Sequence, residues 1–161
     1  MNSGITTYTL LQLYRQNKDY FDTLNLNIPE SKNDVPDILD EIRWNIEWML
    51  TMQDYDGGVF HKLTTKQFAG MVLPEKSTKQ RYAIGKSITA TRDFIAVTAL
   101  AADIYKRFDS EFAEKCAKAA AKSRWWSKQN PYEFFSQPRD VGTGTYTDGS
   151  ALGQTLSAHD D

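Results

Sequence analysis

Chemistry-bearing side chains crowd into the middle of this chain. Asp37, Glu41, Trp44 and Trp48 recur at the three-and-four spacing of one helical stripe. Just beyond them, Asp54, Asp56, His61 and Lys62 surround the pair Gly57-Gly58. A stripe that mixes carboxylates with indoles suits a wet, concave surface better than a dry core. Indole faces offer flat apolar platforms on which the C–H groups of a sugar ring can stack. Carboxylates near an imidazole could transfer protons, provided that one is an acid and the other a base. Asp54 and Asp56 are the candidates for that pair, through their nearness to His61 in sequence alone. Plainer readings stand beside these: a lone loop histidine as a structural hydrogen-bonding group, Lys62 as a solvated cation, and at least one of the two indoles as core.

Positioning these groups requires a helix followed by a turn. Val35, Ile38, Leu39, Ile42, Ile46, Met49 and Leu50 mark the apolar face of a helix that runs to about Gln53. Asn33-Asp34 supply side-chain acceptors ahead of it, and Pro36 falls in its first turn. Upstream, Thr7 to Asn17 is a helix with Leu10, Leu11, Leu13 and Tyr14 on its apolar face. From Asp54 to about Lys86 no period is sustained, although Val59-Phe60 with Leu63 could form a short strand. A loop of this length on a helical scaffold is a place for binding residues. Ser87 to Phe108 is a third helix, apolar on almost every side and therefore expected to be buried all round. Asp109-Ser110 caps a fourth, whose inward face is Phe112, Cys116, Ala119, Ala120, Ser123 and Trp126. The short connection makes the last two an antiparallel hairpin. Asn130-Pro131 ends the helical part.

Composition narrows the field of partners. The 161 residues carry a formal net charge of -2, which provides no cationic excess for a nucleic-acid backbone. No uninterrupted apolar stretch approaches the ~20 residues of a membrane span. Met1-Asn2-Ser3-Gly4 shows no export signal. One cysteine, Cys116, cannot form an internal disulfide and is expected to be a small buried hydrophobe. Zinc-ligand spacings, phosphate-binding glycine motifs and nucleophile elbows do not occur.

Several ordered motifs together resemble the family 9 glycoside hydrolases. They are Ser3-Gly4-Ile5 leading into Leu10-Leu11, Leu26-Asn27-Ile28-Pro29-Glu30-Ser31, Pro36-Asp37-Ile38-Leu39-Asp40-Glu41, Gly57-Gly58-Val59-Phe60-His61-Lys62, Arg81-Tyr82 with Gly85-Lys86-Ser87, and Gly142-Thr143-Gly144-Thr145-Tyr146-Thr147-Asp148. The resemblance implies an all-α fold of paired antiparallel helices, part of an (α/α)6 barrel, over residues 1–148. Residues 149–161 read as a divergent, flexible tail. It also implies inverting hydrolysis of β-1,4-glucan, with β-glucan or cello-oligosaccharide as partner. His61, Lys62, Arg81, Tyr82, Trp44, Trp48 and Tyr146 become the expected sugar contacts. An arginine fork bracing the loop is the plainer role for Arg81.

In that family the water-activating aspartates belong to an Asp-Ala-Gly-Asp motif ahead of the segment resembling Ser3 to Leu11, and the acid is a glutamate further along. The chain therefore reads as a segment, expected either to retain activity or to be a catalytically silent helical module that at most binds glucan. Members are typically secreted and often carry structural calcium. No cofactor is expected otherwise. Helix faces cut from a closed ring would leave apolar surface bare, so self-association is expected.

Overall fold

The computed structural model describes residues 2–141 apart from positions 69 and 139. Its elements in chain order are α1 (Asn2–Gln16), α2 (Lys18–Phe21), α3 (Asp37–Thr51), β1 (Phe60–Thr64), a 3-10 turn (Pro74–Lys76), β2 (Tyr82–Lys86), α4 (Ile88–Tyr105) and α5 (Ser110–Gln129). The core is one cluster to which the long helices all contribute: Leu11 and Tyr14 from α1, Ile46 and Met49 from α3, Phe94 from α4, and Cys116 from α5. Burying such side chains is the main force holding the layer together, at roughly 1.5–3 kcal/mol for each large one.

Helix starts follow the sequence for two helices and depart from it for a third. Ser87 Oγ accepts from Ala90 N at 3.2 Å, and Asp109 Oδ1 accepts from Phe112 N at 2.9 Å, each satisfying an otherwise unpaired amide. At α3 the cap position is Pro36, with no side-chain cap. Asn33, expected to cap this helix, instead accepts from Val35 N and donates to Asp40 Oδ2. It closes the local turn.

The expected burial is correct for α5 and too broad elsewhere. Phe112, Cys116, Ala119, Ala120, Ser123 and Trp126 are all buried. On α1 only Leu11 and Tyr14 of the expected face are buried, whereas Leu10 and Leu13 are exposed. Residues 10 and 13 sit on the flank of the stripe centred on 11 and 14. Likewise α4 is not buried all round: Arg92, Asp93, Ala96, Ala99 and Asp103 form an exposed strip. Alanine satisfies a partner helix and solvent equally, so apolar content overstates the packed surface.

The region expected to lack sustained structure contains a two-stranded antiparallel sheet, so the described chain is helical with one β-hairpin rather than purely α. Lys62 pairs with Ile84, Leu63 with Ala83, and Thr64 with Tyr82. An isolated bridge between Gln53 and Val59 continues the pairing back to the end of α3. Each strand spans five residues, too few for alternation to stand out from the flanking polar sequence. No helix among the described residues is long and apolar enough to cross a membrane.

Candidate functional site

The turn joining α3 to the hairpin is anchored by several side-chain hydrogen bonds. Lys86 Nζ meets Asp56 Oδ2 at 2.6 Å and Asp54 Oδ2 at 2.9 Å. Trp126 Nε1 donates to Asp56 Oδ2 at 3.1 Å, and Gly58 N to Asp56 Oδ1 at 2.9 Å. Gly57 has φ of +99°, and a Cβ there would lie 2.6 Å from Lys122 O; one on Gly58 would lie 2.6 Å from the Trp126 ring. Two glycines are therefore needed because the loop presses directly on α5. Gln53 adds hydrogen bonds to Ala119 O and Ser123 Oγ, and Ser123 Oγ donates to Gly57 O.

These bonds engage both members of the candidate acid/base pair. Asp54 is held below the usual carboxylate range by its hydrogen bond from Lys86 and by the Tyr55 amide. For Asp56 burial acts in the opposite sense, but Lys86, the Gly58 amide and Trp126 together prevail and keep it low as well. Both shifts favour the carboxylate form. Their Oδ2 atoms share one ammonium, which places them closer than the roughly 6.5–9.5 Å that an inverting pair leaves for water. Both carboxylates brace the loop.

The hairpin brings together two of the motifs separated in sequence. His61-Lys62 lies on β1 and Tyr82 opens β2, with Arg81 just before it. Arg81 is exposed, and Tyr82 is 39% exposed. Tyr82 lines a cleft of about 360 Å³ with Thr65, Lys66, Gln67, Lys79 and Gln80, and Lys66 Nζ lies 5.7 Å over its ring. Lys62 is half-buried, and burial pushes its ammonium pKa down. His61 is only 4% exposed. Its Nδ1 is 3.0 Å from Ser87 Oγ, and its ring stacks on Phe135 with centroids 4.1 Å apart and planes within 8°. Ile88 N donates to Glu133 O at 2.6 Å, which ties the Phe135 segment to the start of α4.

The stripe on α3 does not hold as one surface. Asp37 is buried, where Oδ2 accepts from Leu26 N at 2.6 Å and Ser31 Oγ at 2.7 Å; it pins the connection that precedes α3. Glu41 is exposed. Trp44 is 68% exposed and lines a separate cleft of about 250 Å³ with Glu30, Asp40, Arg43 and Glu47. There burial raises the Asp40 pKa, against the Asn33 hydrogen bond that lowers it. Trp48 is 37% exposed, one turn nearer the hairpin end of α3. Tyr146 and the stretch 149–161 lie outside the described residues. Among the described residues no three His, Cys, Asp or Glu side chains converge to hold a metal.

Sequence reasoning passed over Phe135, and gave no loop-anchoring role to Lys86, quoted only within a motif, or to Trp126, placed only on the inward face of α5. Phe135 carries no spacing signal, since it reaches His61 from an irregular segment more than seventy positions away. Lys86 could have been suspected as the cation opposite two loop aspartates, but only the strand register shows that it reaches both.

Comparison with known proteins agrees with the motifs. The glycosyl hydrolase family 9 model matches residues 1–159. Endoglucanase D of Acetivibrio thermocellus is 40% identical over 148 residues, which cover 91% of this chain and 24% of that protein. The xyloglucan-specific endo-beta-1,4-glucanase BoGH9A of Bacteroides ovatus is 39% identical over 159 residues, covering 92% of this chain and 27% of that protein. Among solved structures, a Bacteroides ovatus GH9 protein superposes with a TM-score of 0.85 at 39% identity, over 91% of this chain and 29% of its own. AaCel9A, in complex with cellobiose-like isofagomine, superposes with a TM-score of 0.78 at 28% identity, over 89% of this chain and 28% of its own. The chain thus spans about a quarter of the length of these relatives. With the family model matching nearly all of its residues, the chain belongs to glycosyl hydrolase family 9.

Proposed function

We propose that this chain is part of an inverting β-1,4-glucan hydrolase in which the β1–β2 hairpin supplies sugar contacts. The observation that carries this reading is the antiparallel pairing of Lys62-Leu63-Thr64 with Tyr82-Ala83-Ile84, which draws two sequence-distant family motifs into one structural unit. Lys62, Arg81 and Tyr82 offer donors and an aromatic face, and His61 is the fixed group behind them. Trp44 and Trp48 serve a neighbouring stretch of the glucan chain, with Tyr146 as a further contact. In this reading α4 and α5 are one antiparallel hairpin of an (α/α)6 barrel, with α1 and α3 as its neighbours.

Titration with cello-oligosaccharide, followed by tryptophan fluorescence, tests the reading. A saturable change that is weakened in Tyr82→Ala and His61→Ala supports it. No change at millimolar sugar would remove the hairpin as a binding element. Hydrolysis of aryl β-glucosides by the same preparation separates an active segment from a silent glucan-binding module.

We also propose that bare apolar surface, including Ile5 and Leu13 on α1 and Trp125 on α5, drives self-association. Sedimentation showing a monomer at all accessible concentrations would end that proposal.

A further inference from the structure

We propose that Gly85 and Phe135 are positioning residues for His61, locking the imidazole in a single orientation before any ligand arrives. The proposal rests on the reading of His61 as a sugar contact.

At least two constraints meet on the imidazole. The hydrogen bond between Nδ1 and Ser87 Oγ, 3.0 Å long, sets which way the ring edge points. The Phe135 ring, parallel to it at 4.1 Å, sets the plane. Ser87 cannot swing aside, because its Oγ also accepts from Ala90 N and its own N–H is given to Val59 O. Phe135 is equally confined, by the bond from Ile88 N to Glu133 O two residues before it.

Phe135 reaches this position only because residue 85 has no side chain. In the strand register Gly85 stands between the Lys62–Ile84 and Phe60–Lys86 pairs, across from His61. A Cβ on it would lie 2.5 Å from Phe135 Cδ2 and 2.6 Å from Cε2. Its φ of +56° also falls where side-chain-bearing residues are rare. The glycine thus opens the space, the phenyl fills it, and the imidazole is clamped between phenyl and hydroxyl. A group fixed in advance loses no rotational freedom on binding, so its hydrogen bond contributes in full.

The experiment uses the chain with cellotetraose as probe. The sequence holds two histidines, so a His159→Gln background leaves His61 as the single imidazole signal in NMR. In that background the carbon-bound protons of His61 are shifted upfield by the Phe135 ring current. Phe135→Leu abolishes the shift and weakens cellotetraose binding roughly three- to tenfold, the cost of ordering one freed side chain. Phe135→Tyr restores both. Gly85→Ala keeps the phenyl but displaces it, and gives the same binding loss. The double variant Gly85→Ala/Phe135→Leu binds no worse than either single, because both act through one ring.

Additive binding losses in the double variant would overturn the proposal, as would an unchanged His61 signal in Phe135→Leu. If His61→Ala weakens binding while Phe135→Leu does not, positioning fails and the sugar-contact reading survives. If His61→Ala leaves binding unchanged, both fall together. Far-UV circular dichroism of each variant confirms that the helices persist; should Phe135→Leu fail to fold, Gly85→Ala and Phe135→Tyr carry the same comparison.

Discussion

Lys86 Nζ lies 2.6 Å from Asp56 Oδ2, thirty residues apart in sequence, and this ion pair ties the end of β2 to the glycine turn after α3. The same ammonium holds Asp54 at 2.9 Å. All three side chains are about three-quarters shielded from solvent. Lys86→Met is expected to cost about 1–2 kcal/mol, because two carboxylates are left facing each other without a cation. Urea unfolding measures it. A loss below ~0.3 kcal/mol would place the pair among inert surface contacts.

The pH dependence follows from the same residues. Asp54 and Asp56 have lowered pKa values in the folded chain, so their contribution is complete above the unfolded carboxylate value of about 3.9. It is lost as pH falls through the folded values. Lys86 is raised despite burial, because its bonds to the two aspartates outweigh the desolvation. Its contribution is complete below the unfolded lysine value, about 10.4, and disappears as pH rises through the folded one. Midpoints measured across pH should therefore fall at both extremes, and Lys86→Met should flatten both limbs.

Asp37 is a buried acceptor rather than a surface carboxylate. Asp37→Ala strands the Leu26 amide and the Ser31 hydroxyl and is expected to cost about 1–3 kcal/mol. The connection between α2 and α3 should become the first site of limited proteolysis. Asp37→Asn, which keeps an acceptor oxygen, should lose less.

Glycines at 58 and 70 make a matched comparison. Gly58→Ala drives a methyl group to 2.6 Å from the Trp126 ring and 2.8 Å from Lys86 Cδ, and should cost about 1–3 kcal/mol with a visible change in tryptophan emission. Gly70→Ala meets nothing within 4 Å and should leave stability almost unchanged. Equal effects at the two positions would mean that the turn does not press on α5.

What the sequence shows clearly is whatever local physics determines. The inward face of α5 is a 3.6-residue pattern, and the cap at Asp109 is a single-residue signal. The Gly57-Gly58 turn is also local. What it hides depends on contacts between distant segments. Asp37 reads as a groove carboxylate until the preceding connection folds over it. Asp54 and Asp56 show no cationic partner until strand register delivers Lys86. The exposed strip of α4 reads as core because alanine carries no signature of its surroundings. For His61, the family motif identifies the residue, but its stacking against Phe135 requires the folded irregular segment.

Cys116, fully buried in α5, has its thiol pKa pushed up to about 12 by that burial. Thiol reagents attack the thiolate, so in the closed chain this sulfur is both out of reach and in the wrong ionisation state. It is also the sole cysteine. Any modification it acquires is consequently a timestamp of the moments when α5 lifts from its neighbours, and the chain carries a built-in meter of its own opening that needs no engineered label.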